Sequence, residues 1–145
     1  QIIYRSKNLT IINDSKATSF SSSVSILKSL SNVYWIVGGL KKKGDKFLLN
    51  KKYCKTFKAY IFGKNKNFFN DQLKKKMNCQ NFANLSSLIK KFLLDIKNEK
   101  NIVNKTILFS PAAASFDKFK NFEDRGKEFN RLIKISEIRK MTYAK

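Results

Sequence analysis

Short apolar runs alternate along the chain with stretches in which apolar residues return every three or four positions. Leu9–Ile12, Val33–Val37, Phe57–Phe62 and Thr106–Phe109 are the runs, and Met77–Phe82, though largely polar, is expected as a further short strand. Each is short enough for a strand, and the continuous ones read as strands covered on both faces. Between them, Phe20, Val24, Leu27 and Leu30 fall on one helix face, with Ser19–Ser23 suited to the helix start. A polar helix is expected over Asn67–Lys76. Leu85, Leu88, Ile89, Phe92, Leu93 and Ile96 mark the clearest amphipathic helix. Phe47, Leu48 and Leu49 are expected to begin a short helix. Phe129, Leu132 and Ile133 share a face of a final helix, expected to reach about Lys140, with Asn121 and Asp124 placed as a capping pair.

Strands alternating with helices predict an α/β fold: a mainly parallel sheet with helices on both faces, in a single domain. Right-handed crossovers then bring the carboxyl ends of the strands to one edge. Three polar loops are expected to meet there: Asn13–Thr18, Gly38–Gly44 and Ser110–Phe122. No repeat or linker divides the sequence, so residues 1–145 are expected to form one domain.

Composition changes this picture in a few places. Of 145 residues, 31 are Lys or Arg and 10 are Asp or Glu, a formal charge of +21. Such an excess raises nucleic-acid binding as a class. Yet the arginines are only Arg5, Arg125, Arg131 and Arg139, and the lysines are dispersed along the chain. Arginine is the residue that reads bases and grips phosphates in a fork. Dispersal and abundant Lys, Asn, Ile and Phe favour compositional drift, and no nucleic-acid partner is expected. Histidine is absent, which removes the commonest general base and metal ligand. Cys54 and Cys79 lack metal or redox spacing, so a reduced, cytoplasmic setting is expected. No apolar run approaches the ~20 residues of a membrane span, and no charged-then-apolar leader pattern opens the sequence. The first residue, Gln1, predicts a piece of a longer chain, and a monomer is expected.

The candidate chemistry lies in the three loops. Lys16 and Lys42 are cations, Thr18 and Ser115 carry hydroxyls, and Asp14 is a carboxylate. Small residues around Pro111 let a backbone approach a ligand, and a helix start offers N–H groups to an anion. The set suits a small dianion or a phosphate at a sheet edge. Taken singly, each residue has a plainer reading: a solvated lysine, a packing serine, a helix cap. No nucleophile–base pair is present. No Gly-x4-Gly-Lys-Ser/Thr loop occurs, and Gly38-Gly39 is not a dinucleotide fingerprint.

Two longer stretches go further. Asn13-Asp14-Ser15-Lys16-Ala17-Thr18 resembles the NDSKAT motif of the muramyl ligases that add D-glutamate. Ser110 to Gly126, SPAAASFDKFKNFEDRG, resembles the SPACASFDxFxNFExRG motif of that family, departing from it at Ala113, where cysteine is usual. Tyr34–Leu40 resembles the strand that leads to the family's lysine-bearing loop. The resemblance covers essentially the whole chain.

It implies the third of three domains, Rossmann-like, with the UDP-binding and central ATPase domains absent. ATP and Mg2+ would be held mainly by the central domain. The parent reaction would join D-glutamate to UDP-N-acetylmuramoyl-L-alanine through an acyl phosphate, for peptidoglycan precursors, and the isolated chain would be inactive. By resemblance, Thr18 and Lys42 match positions holding one carboxylate of D-glutamate, and Ser115 and the Phe122 backbone match those holding the other. Lys41 and Lys43 compete with Lys42 for its match. Lys16 matches a lysine facing the phosphates and the reacting centre, and Asp14 an acid near the nucleotide ribose; no metal ligand is implied. Two alternatives are a basic nucleic-acid-binding module and the C-terminal domain of a sister muramyl or folylpolyglutamate ligase. The Ser110–Gly126 stretch argues against the sister ligases.

Overall fold

The computed structural model describes residues 1–99, 104–115 and 118–143, the last three by their backbone alone. Six strands form one sheet: β1 Ile2–Arg5, β2 Leu9–Asn13, β3 Val33–Gly38, β4 Phe57–Phe62, β5 Asn78–Phe82 and β6 Lys105–Phe109. Their order across the sheet is β1-β2-β6-β3-β4-β5. β2, β6, β3, β4 and β5 run parallel, and β1 pairs antiparallel with β2 at the edge. The helices are α1 Phe20–Leu27, α2 Lys66–Leu73, α3 Leu85–Asn98, α4 Phe122–Ile133 and α5 Ile135–Tyr143. The α/β expectation holds, with β1 as an added strand. Its two ends are exposed and only Ile3 and Tyr4 are half-buried, so it lacks the continuous apolar signature of the inner strands.

The alternation of strand side chains builds two cores. Trp35, Val37, Ala59, Ile61 and Leu108 face one side, where Phe20 and Leu27 of α1 and Phe69 and Leu73 of α2 cover them. Ile36, Tyr60, Phe62, Ile107 and Phe109 face the other, under α3, α4 and α5. Phe109 and Phe129 stack there with centroids 4.4 Å apart. Predicted caps form: the side chains of Ser19 and Asn121 accept N–H bonds from Ser22 and Asp124.

Two helix expectations fail. Residues 47–49 form no helix or strand, with Phe47 and Leu49 buried and Leu48 80% exposed. An apolar triplet satisfies a two-residue period as well as the start of a helix, and long-range bonds decide here. Lys76 Nζ donates to the carbonyls of Phe47 and Leu49, at 3.1 and 2.8 Å. The helical turn comes later, as a 3-10 turn at Lys51–Tyr53. The final helix is also two helices, broken at Lys134, whose φ is +50°. Ile133 and Ile138 are both buried. Five residues of straight helix would place them about 140° apart, and the break brings both to the core.

Candidate functional site

β2, β6 and β3 are neighbours, so the three loops that follow them meet at the carboxyl edge. Backbone bonds join them directly. Asp14 N–H donates to Phe109 at 2.7 Å, Ser110 N–H to Ile36 at 3.2 Å, and Gly38 N–H to Pro111 at 2.9 Å. Leu40 and Ala114 exchange a reciprocal pair at 3.3 and 3.2 Å. The Asp45 carboxylate accepts the Phe20 N–H at 2.9 Å, tying the end of the lysine loop to the start of α1.

The interior of the edge is polar and organised around Arg125, whose residue is 1% exposed. Its Nη1 donates to Ala113 O at 2.7 Å, its Nη2 to Ser15 O at 2.5 Å, and its Nε to Ser15 Oγ at 3.1 Å. Ser15 Oγ donates in turn to Phe122 O at 2.7 Å. Gly126 makes this possible: a Cβ there would stand 3.2 Å from the Ser15 Cβ and 3.5 Å from the Asn13 amide. Behind this cluster, the Ser23 and Ser110 hydroxyls lie 2.6 Å apart. Ser110 Oγ donates to the Asp14 carboxylate at 2.9 Å, and Trp35 Nε1 to Ser110 O at 2.7 Å. Ala112, beside these groups, holds φ +57°, a left-handed conformation unusual for alanine.

The expected site residues sit around this interior. Lys16, Thr18 and Lys42 are exposed, Asp14 is half-buried and Ser115 is buried. Phe122 opens α4, where the first N–H groups have no intrahelical partner. Lys41 is turned elsewhere: its N–H bonds Asn65 Oδ1 and its ammonium lies 5.6 Å from the Phe68 ring centroid. A groove of about 340 Å³ is lined by Lys16, Phe122, Asn13, Ser15, Gly126 and Lys127, among others. None of the described grooves brings Thr18, Lys42 and Ser115 together. Residues 116–117 of the closing motif lie outside the described residues.

Sequence reasoning missed Arg125, Ser15, Ser23 and Ser110 as the organisers of the edge. Arg125 carried a signal, being one of four arginines among many lysines and inside the closing motif.

Among the described residues no group of three His, Cys, Asp or Glu could hold a metal. The edge carboxylates Asp14 and Asp45 each already accept a bond. Neither cysteine is activated: burial raises the Cys54 thiol, with Lys76 opposing, and burial pushes Cys79 up to about 11. Among the described residues no helix is long and apolar enough to cross a membrane.

No family model matches the chain. It is, however, 36% identical over 134 residues to the UDP-N-acetylmuramoylalanine–D-glutamate ligase of Wolbachia sp. subsp. Brugia malayi, covering 92% of this chain and 26% of that protein. The ligase of the same name from Rickettsia felis is 38% identical over 136 residues, covering 92% and 30%. The Agrobacterium fabrum ligase is 34% identical over 129 residues, covering 89% and 27%. Along about nine-tenths of its length the chain is similar to D-glutamate-adding muramyl ligases. It spans between a quarter and a third of the length of these relatives. The buried bonds of Arg125, within the Ser110–Gly126 stretch, tie the loops of this shared region together.

Proposed function

We propose that the chain is the C-terminal domain of the ligase that joins D-glutamate to UDP-N-acetylmuramoyl-L-alanine, in the cytoplasm, and that it binds and orients D-glutamate. The observation that carries this is the joining of the Thr18, Lys42, Ser115 and Phe122 segments at one sheet edge, through Asp45, the Leu40–Ala114 pair and Ser15. D-Glutamate is a dianion with an amine, and the edge offers a cation, hydroxyls and helix N–H groups. Thr18 and Lys42 hold one carboxylate. Ser115 and the Phe122 N–H hold the other. Lys16, on the rim of the neighbouring groove, faces the phosphates and the reacting centre, and Asp14, fixed by Ser110, faces the nucleotide ribose.

In the whole enzyme, ATP phosphorylates the alanine carboxylate and leaves as ADP. The D-glutamate amine attacks the acyl carbon, the carbon–oxygen bond to phosphate breaks, and an amide, phosphate and a proton result. The domain's part is proximity: it holds the amine where the acyl carbon arrives. ATP and Mg2+ belong to the central domain, and this chain alone is inactive.

A D-glutamate titration of the chain followed by amide NMR tests the site. Shifts are expected at Thr18, Lys42, Ser115 and Phe122, and Lys42→Ala weakens binding by about tenfold or more, the loss of a charged hydrogen bond. An unperturbed spectrum at saturating D-glutamate overturns the reading. An equal loss in Lys43→Ala, with Lys42→Ala silent, moves the cation one position.

A further inference from the structure

Two carboxylates of one small ligand must be held a fixed distance apart if the site is to recognise chain length. The groups assigned to them come from separate segments. Ser115 is two residues beyond Ala113, Thr18 three beyond Ser15, and Phe122 three before Arg125 on the same helix. Arg125 touches all three segments: it donates to Ala113 O and to both oxygens of Ser15, and Ser15 Oγ closes the circuit on Phe122 O. The fourth residue, Lys42, enters through Leu40, whose backbone pairs with Ala114, next to the Arg125 contact. A planar guanidinium makes these bonds in fixed directions, which an ammonium on a flexible stem does not. Its burial keeps it from exchanging its partners for water.

We infer that Arg125 is a specificity-determining positioning residue, which sets the separation between the Thr18/Lys42 and Ser115/Phe122 halves of the site and so selects D-glutamate over the acid one methylene shorter, D-aspartate. The inference rests on the proposed D-glutamate site. Arg125 does not itself touch the ligand. Its removal leaves the binding groups present but lets their spacing vary, so its signature is lost discrimination and not only lost affinity.

The test compares D-glutamate and D-aspartate affinities, by NMR titration of the full chain, for the native protein, Arg125→Lys, Arg125→Met and Ser15→Ala. Near-ultraviolet circular dichroism checks folding. The native chain is expected to prefer D-glutamate. Arg125→Lys and Arg125→Met lower that preference by about tenfold, the scale of one charged hydrogen bond. Ser15→Ala, which removes the Arg125 Nε bond and the Ser15–Phe122 bond but leaves the guanidinium bonds to the Ala113 and Ser15 carbonyls, lowers it less. Should Arg125→Met fail to fold, Arg125→Lys and Ser15→Ala carry the comparison. Folded variants that weaken both ligands equally, or keep the native ratio, overturn the inference and leave the site reading standing. A native chain that binds neither acid overturns the site reading itself, and the inference with it.

Discussion

The two edges of the sheet both bury polar groups, and they do so in opposite ways. Toward the amino ends of the strands, side chains satisfy side chains. Tyr34 donates to Glu99, which lies 3.9 Å from the Lys105 ammonium. Tyr60 donates to Asp95 at 3.0 Å, and Lys91 to the same carboxylate at 2.8 Å. These bonds join α3 and its end to the strands. At the carboxyl edge, Arg125, Ser15 and Ser23 donate to loop carbonyls and to serine hydroxyls, and Ser110 donates to the Asp14 carboxylate. The left-handed backbone positions divide the same way. The amino edge has Asn32 and Asn104, where asparagine tolerates the conformation, together with Lys134. The carboxyl edge has Gly38, Gly39 and Ala112. One edge joins a helix to the sheet; the other holds backbone at set distances.

The largest contrast is expected at the glycines. A Cβ on Gly38 would stand 2.0 Å from Phe62 O, and φ is +138°. Backbone cannot yield as a flexible side chain does. Gly38→Ala is expected to cost more than about 3 kcal/mol in urea denaturation. Asn32→Ala, at a comparable turn on the other edge, keeps the Asn32 N–H bond to Thr56 and is expected to cost about 1 kcal/mol. Equal losses would remove the distinction between close approach and mere conformation.

A middle-sized effect separates the amino edge by pH. Burial first, then bonding and charge from the carboxylates, hold the Tyr34 and Tyr60 hydroxyls above the ordinary tyrosine range. The raised value means that their contribution is whole below the ordinary pKa of about 10 and fades as pH rises through the folded values. Asp95 runs the other way. Burial opposes its charge, but the Lys91 and Tyr60 bonds and the Lys91 and Lys58 charges prevail and hold it low. Its contribution is whole above the ordinary carboxylate value of about 4 and is lost as pH falls through the folded value. Tyr60→Phe is expected to cost about 1 kcal/mol at pH 7, with the gap from the native chain narrowing above about pH 10. The Asp95→Asn gap narrows below about pH 4. Differences between variant and native chain are the quantity to compare, because a net charge of +21 makes both titrate strongly. Gaps that stay flat would mean the network does not couple to folding.

The sequence announces the parts of this molecule that rest on local periodicity. β2, β3, β4, β6 and α3 could be read directly, because buried strands are continuous apolar runs and a helix over a sheet shows a 3.6-residue stripe; β5, NCQNF at the other edge, carries no such run. β1 could not, since an edge strand buries too little to imprint a pattern. The 47–49 segment was misread because Lys76 and Gln72, far along the chain, decide its backbone. At the site, the outward residues Lys16, Thr18 and Lys42 were legible as polar groups after strands. Arg125 showed only as a rare arginine inside the closing motif; that it would be buried and bonded to carbonyls has no local signature. Its partners Ser15 and Ala113 stand 110 and 12 residues away.

The smallest effect probes whether the amino edge asks anything of its left-handed positions beyond conformation. Lys134 is exposed and sits between α4 and α5 at φ +50°, a position that glycine fills without the Cβ penalty. Lys134→Gly is expected to stabilise the chain by roughly 0.5–1 kcal/mol, the left-handed penalty less the extra entropy of glycine in the unfolded state. Ala112→Gly relieves the same kind of strain at the carboxyl edge, but its methyl is fully buried in the core. Losing that methyl costs about 0.8 kcal/mol, which cancels most of the relief. A melting temperature that rises for Lys134→Gly and stays level for Ala112→Gly would mean that the site edge retains alanine for what it packs against, while the other edge tolerates lysine because only its backbone matters. A rise of equal size in both would show that the Ala112 methyl adds nothing to the turn, and the strain there would then need a cause other than packing.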